Sequence, residues 1–296
     1  MQTPILVIGA TGNIGRVLIP RLTQQGRLVR AATRSPERYP AHPGVTPIYF
    51  DYEQPDSFAP AVAGIKQVFA IAGPASTGVT LPFSPFVAQM QQAGVEHLVL
   101  VTTMPILRSD GPHLWEEVEQ PVLQAGVPCT FLRPNWFMQA FVDSFMATMA
   151  QQGRLCVPAA DARISLIDAR DIGEAAATVL TTEEHRAHAY TLTGGEALNF
   201  AEIAATIAHA CDRPVQYHHE PLETLGETAI NAAGGTVTSL KNLNYLFKTL
   251  RQGSFATVDP TIEKLIGRPP TTFAHFADEH AAVWKTEPSP QLTRSA

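Results

Sequence analysis

An apolar run at residues 5–8 leads straight into Gly9-Ala10-Thr11-Gly12-Asn13-Ile14-Gly15, and helical periodicity begins at once with Ile14, Val17, Leu18 and Leu22. Few local patterns restrict a fold so tightly, because each glycine has its own task. Gly9 permits a tight turn, Gly12 lets the backbone approach a bound group, and Gly15 lets the helix lie close on the strand. The helix N-terminus so formed presents free N–H groups, which suit a phosphate. This strand, turn and helix predict the first unit of a doubly wound parallel sheet, with a dinucleotide pyrophosphate at its edge. Thr11, Asn13 and Ile14 join the three glycines as cofactor-binding candidates.

The rest of the chain continues the alternation. Strand-length apolar runs fall at 28–32, 67–71, 97–101 and 129–132, with a third strand ending at Asp51-Tyr52. Helical segments at 13–25, 56–63, 82–93 and 114–125 are each followed by a glycine (Gly26, Gly64, Gly94, Gly126), a repeated stop signal. Pro121 lies inside the last of them and predicts a kink or a restart there. This is the pattern of an α/β Rossmann fold with helices on both sheet faces. Beyond 155 an extended piece at 164–167, an Ala-rich helix at 171–182 and a strand at 189–192 predict a last sheet unit. Mainly helical segments follow at 200–211, 222–229, 237–251, 260–266 and 272–284, with a Gly234-Gly235 break and a Pro269-Pro270 stop. The expected division is a nucleotide-binding domain over 1–155, completed by about 164–195, a smaller helical substrate lobe over 196–286, and a disordered tail over 287–296.

The end of the second strand distinguishes the two nicotinamide dinucleotides. An NAD site places Asp or Glu there for the ribose 2′-hydroxyl, and an NADP site places a cation for the 2′-phosphate. Here the sequence reads Ala32-Thr33-Arg34-Ser35, so Arg34 predicts NADP(H), with Arg16 and Arg38 as helpers. A cofactor lying outside the carboxyl ends of such a sheet would also meet Asp51 and Tyr52 near the adenine. Ala72, Gly73 and Pro74 would lie beside the ribose, and Thr102 near the nicotinamide.

Composition narrows the partners. Across 296 residues only 16% are charged, 45% are hydrophobic and the formal net charge is −6, which argues against nucleic acid and anionic membranes. Cys129, Cys156 and Cys211 are odd in number and far apart, so neither a disulfide framework nor a zinc site is expected. No apolar run approaches the about 20 residues that span a bilayer, and no basic leader precedes the first strand, so a cytoplasmic protein is expected. His218 and His219 are adjacent and His275 and His280 are five apart, so no metal site is predicted.

Taken together the residues resemble the NmrA-like branch of atypical short-chain dehydrogenases, near the triphenylmethane reductases and NADPH-dependent quinone reductases. The resemblance runs through the GxxGxxG spacing, Phe50-Asp51-Tyr52-Glu53-Gln54-Pro55, Ala72-Gly73-Pro74 and Thr130-Phe131-Leu132-Arg133-Pro134-Asn135-Trp136-Phe137. It continues through Asp168-Ala169-Arg170-Asp171-Ile172, Tyr190-Thr191-Leu192-Thr193-Gly194 and Glu263-Lys264-Leu265-Ile266-Gly267. It implies an NADP(H) site with the nicotinamide near Pro134 to Phe137, and acceptors among quinones, cationic dyes and imines.

None of the six tyrosines has a lysine four residues later, so the Tyr-x-x-x-Lys acid pair of the wider superfamily is absent. Some relatives also carry Lys or His four residues before the glutamate that matches Glu119; here Trp115 stands there, and His113 is out of register. Without a positioned acid, hydride must go to an acceptor that takes it unaided: a quinone, an iminium or a cationic dye. A plain ketone builds an alkoxide and needs a proton donor. Thr103 and Asn135 are the candidate donors to a developing oxyanion. Met104, Trp136, Phe137, Met138 and Phe141 are candidate walls of the acceptor site, with Pro105 and the loop over 76–83 behind them. Phe145 and Met149 extend the same stretch, which also reads as a buried helix against the lobe. Asp171 is expected to cap its helix. The main rival reading is a non-catalytic NADP-binding regulator, which the missing pair favours. A nucleotide-sugar epimerase or dehydratase fits less well, because those enzymes keep the pair.

Overall fold

A computed structural model describes residues 2–72, 83–104, 114–222 and 237–285, with backbone alone over 114–117 and 237–242. Strands β1 (Ile5–Ile8), β2 (Val29–Thr33), β3 (Val45–Tyr49), β4 (Gln67–Ile71), β5 (His97–Val101) and β6 (Cys129–Pro134) alternate with helices. These are α1 (Gly15–Gln24), α2 (Phe58–Val62), α3 (Phe83–Gln92) and α4 (Leu114–Ala125). Then come α5 (Ala140–Asp143), α6 (Phe145–Gln151), β7 (Arg154–Cys156), β8 (Arg163–Ile164), α7 (Ala169–Thr181) and β9 (Ala189–Leu192). The chain continues through β10 (Leu198–Asn199), α8 (Phe200–Cys211), β11 (Gln216–His218), α9 (Val237–Arg251), α10 (Thr261–Ile266) and α11 (Phe273–Lys285).

Seven strands form one sheet in the order β3-β2-β1-β4-β5-β6-β9, every pair parallel. The order reverses between β1 and β4, which makes their carboxyl ends the switch point where ligands settle in such sheets. Strand alternation feeds two cores. Ile5 and Val7 pack on the α1 and α7 side with Leu18, Leu22, Ile172 and Ala176. Leu6 and Ile8 pack on the opposite side with Phe58, Phe86, Met90 and Val122. A third cluster joins Met138, Phe141 and Met149 to Phe200, Phe247, Phe273, Phe276 and Trp284. The segment after β6 therefore buries its side chains with the C-terminal helices, and the Trp284 indole N–H donates to the Phe141 carbonyl at 2.8 Å.

One local expectation is narrowed and another changes. Pro121 neither ends nor restarts α4, which runs through it from Leu114 to Ala125. The proline removes one hydrogen bond from a helix whose Val122, the next residue, is fully buried in the core. Asp171 is not the cap of α7 either. Asp168 is, accepting from the Arg170 backbone N–H at 2.8 Å. Asp171 is buried in the first turn and accepts from Arg268 at 2.6 Å and from the Thr271 backbone at 2.7 Å, tying the 268–271 segment to α7. The expected helix over 222–229, the Gly234-Gly235 break and the tail over 287–296 lie wholly or almost wholly outside the described residues.

Candidate functional site

The carboxyl edge of the sheet is built from the glycine turn outward. Gly9 adopts φ 77°, a conformation that disfavours any side chain, and the Gly12 N–H donates to its carbonyl at 3.0 Å. At Gly15 a Cβ would sit 2.3 Å from the Gly9 oxygen and 2.8 Å from Ala10 Cα, so only glycine lets α1 meet the turn this closely. Helix α1 then begins with Ile14 at its cap, no side-chain cap hydrogen bond and no acid in its first turn. An uncapped helix N-terminus with no carboxylate of its own retains its partial positive charge for a bound anion. Thr11 and Asn13 are exposed on the turn, and the Asn13 amide donates to Asp143 at 2.9 Å, joining the turn to α5.

Arg34 follows β2, is exposed and has no partner among the described residues. Arg16 is exposed as well, and Arg38 lies no nearer to Glu37 than 3.9 Å. Asp51 shapes its own turn, accepting from the Glu53 N–H at 3.0 Å, rather than presenting an unengaged carboxylate. The Tyr52 ring meets Phe50 edge-on at 4.9 Å, and its hydroxyl donates to the carbonyl of Ile71, the last residue of β4, at 3.4 Å. Burial pushes the Tyr52 phenol well above its ordinary range, so it acts as a neutral donor. Ala72 is half-buried, its N–H held by the Val101 carbonyl at 2.9 Å, while Gly73 and Pro74 lie outside the described residues.

Past β5 and β6 the candidates separate. Thr103 is half-buried and Met104 is buried, its N–H donating to the carbonyl of buried Pro134 at 3.1 Å. Asn135 is 2% exposed and its amide is fully engaged: it donates to Ser165 Oγ at 2.7 Å and to the Phe255 carbonyl at 2.9 Å, and accepts from the Trp136 N–H at 2.8 Å. In this arrangement both amide hydrogens are used in tying the end of β6 to Ser165 and Phe255, and neither is available to a developing oxyanion. Trp136 is half-buried, edge-on to Phe247 at 5.4 Å and to Phe255 at 5.8 Å, and Phe137 is half-buried beside it. Met138 and Phe141, expected as walls, are buried at 1% and 0% exposure in the core they share with the C-terminal helices. The helical stretch is apolar because it packs inward. Pro105, His113 and the loop over 76–82 are outside the described residues, as is the Trp115 side chain.

One buried group went unrecognised as a feature of the site. Glu119 on α4 is fully buried and accepts from Arg133 Nε at 2.9 Å, from the other arm of the same guanidinium at 2.6 Å, and from Thr102 Oγ1 at 2.9 Å. The available signal was Arg133 itself, the one charged residue of β6, which must find an acid on a neighbouring element. Among the described residues no group of three or more His, Cys, Asp or Glu is placed to hold a metal ion, and no helix is long and apolar enough to cross a membrane.

Comparison with known proteins gives a consistent result. The model of the NmrA-like family matches residues 1–277. The NAD(P)H azoreductase of Xenophilus azovorans is 31% identical over 95% of this chain and 99% of its own length. The Citrobacter triphenylmethane reductase, solved with NADP(H), superposes with a TM-score of 0.79 at 24% identity, covering 94% of this chain and 99% of that one. The NADPH-dependent quinone oxidoreductase of Escherichia coli, solved with NADPH, gives a TM-score of 0.80 at 22% identity, covering 93% and 99%. The last two share the fold.

Proposed function

The chain belongs to the NmrA-like family, and from its carboxyl-edge geometry we propose that it is an NADPH-dependent reductase of small, flat, electron-poor acceptors. The observation that carries this reading is a helix N-terminus behind the glycine turn with no side-chain cap and no acid in its first turn, combined with an Arg34 that has no partner among the described residues where an NAD site would hold a carboxylate. Gly9, Gly12, Gly15 and the first turn of α1 would hold the pyrophosphate, and Arg34 the 2′-phosphate. The relatives named for NAD(P)H, azo dyes, triphenylmethane dyes and quinones support the same class of chemistry.

Bound NADPH supplies the hydride from its nicotinamide. The chain's own part is to bind, orient and exclude water. Trp136 and Phe137, half-buried beside the end of β6, offer apolar walls to a flat acceptor. Of the two candidate donors only Thr103 has a hydroxyl without a described partner, because the Asn135 hydrogens are engaged. With so little proton donation available, an acceptor whose positive charge is neutralised by hydride, or whose quinoid ring becomes aromatic on taking it, fits better than a plain ketone.

The cofactor assignment is tested by titrating NADPH and NADH into the protein and into Arg34→Ala, followed by fluorescence. NADPH is expected to bind at least about tenfold tighter than NADH, about 1.4 kcal/mol, and the variant to erase that gap. Equal binding of the two dinucleotides, or a gap that survives the substitution, would sink the assignment.

A further inference from the structure

The Glu119 cluster fixes more than a strand and a helix. A threonine hydroxyl has one hydrogen and two lone pairs, and a carboxylate has no hydrogen to give. In the 2.9 Å contact between them Thr102 is therefore the donor and Glu119 the acceptor. Arg133 occupies both carboxylate oxygens with a two-pronged grip and holds Glu119 in place, out of reach of solvent. Thr102 itself is the first residue past β5, pinned there by its backbone N–H on the Leu132 carbonyl at 2.9 Å, and is only partly buried. With its hydrogen directed into the protein, its oxygen can offer only lone pairs to anything at the sheet edge.

We infer that Thr102 is a hydrogen-bond acceptor for an N–H or O–H donor on the nicotinamide half of the cofactor, with Glu119 and Arg133 as the positioning residues that impose this polarity. The inference rests on the proposed cofactor site and adds to it a recognition rule. The nicotinamide half carries two kinds of donor that meet it: the carboxamide N–H and the ribose hydroxyls. Thr102 in this state has no hydrogen to give to a developing oxyanion.

The test is binding, not turnover. NADPH and its reduced 3-acetylpyridine analogue, in which a methyl group replaces the carboxamide nitrogen, are titrated by fluorescence into the wild type, Thr102→Val, Thr102→Ser and Glu119→Gln. Thr102→Val is expected to weaken NADPH about fivefold, within the worth of one neutral hydrogen bond, and Thr102→Ser to restore it. A loss confined to NADPH identifies the carboxamide as donor; an equal loss for the analogue identifies a ribose hydroxyl. Glu119→Gln has one acceptor oxygen for the three hydrogens that the carboxylate accepts, so the fixed direction of the Thr102 hydrogen is lost, and NADPH is expected to weaken in the same sense. NADPH binding by Thr102→Val at wild-type strength overturns the inference and leaves the cofactor site standing. Failure of the wild type to bind either dinucleotide overturns both.

Discussion

Gly15→Ala is expected to lose at least about 100-fold in NADPH affinity, about 2.7 kcal/mol, and to melt at lower temperature. The added methyl group would sit 2.3 Å from the Gly9 oxygen and within 2.9 Å of two Ala10 backbone atoms. Those neighbours are backbone, so no side chain can swing aside. Either α1 lifts from β1 or the turn opens, and both move the N–H groups meant for the pyrophosphate. Gly26→Ala separates the two effects. Gly26 stands just past the end of α1 with φ 73° and nothing near its added carbon, so the variant is expected to lose some stability and keep its affinity. Gly15→Ala binding NADPH like the wild type would show that the turn is not the cradle.

Acidification is expected to destabilise the protein between pH 6.5 and 4 through one buried imidazole. His97 begins β5 at 1% exposure. Thr130 gives its hydrogen to the His185 carbonyl at 2.7 Å, so at its 2.9 Å contact with His97 Nε2 it must accept, which assigns the proton to Nε2. Nδ1 is then left buried without a partner among the described residues, and a second proton there would meet no acceptor among them. Burial, reinforced by the Arg186 charge, lowers the imidazole to about 4. The unfolded chain takes up this proton near pH 6.5 and the folded chain only near 4. Stability from this group is therefore complete above pH 6.5 and is lost as pH falls toward 4, by about 3 kcal/mol in all. Urea unfolding of the wild type and His97→Gln across that range measures it. The variant is expected to lack this component of the slope, and identical slopes would contradict the assignment.

How much of this was legible in the sequence depends on the range of the interaction. The β1 turn and α1 could be read because strand, glycines and helix are contiguous, and the helix stops because each glycine sits within its own turn. The third strand had an expected end but no pattern of its own. Val45–Tyr49 is an edge strand with only Val45 and Ile48 half-buried, and it carries Pro47, which an edge tolerates. The cap of α7 was misplaced because Asp168 and Asp171 are both plausible acids locally. Only the fold brings Arg268 and Thr271 to Asp171 across about a hundred residues of chain.

The same reasoning explains the candidate site. Cofactor candidates follow from strand ends, which topology fixes, and those described fall along one sheet edge. Acceptor candidates followed from the apolar character of the 136–149 stretch, and apolarity alone does not distinguish a pocket wall from a core. Trp136 and Phe137 keep an accessible face, whereas Met138 and Phe141 do not. Asn135 looked like a free amide because its partners, Ser165 and the Phe255 carbonyl, lie 30 and 120 residues away.

The most direct measurement of the central claim is NADPH consumption in the presence of a small quinone, an azo dye or a cationic triphenylmethane dye. The account predicts acceptor-dependent consumption with at least one of them, one NADPH for each two-electron reduction. If NADPH binds but none of the acceptors is reduced, the proposed acceptor class is contradicted and the rival reading, a non-catalytic NADP(H)-binding protein, is favoured.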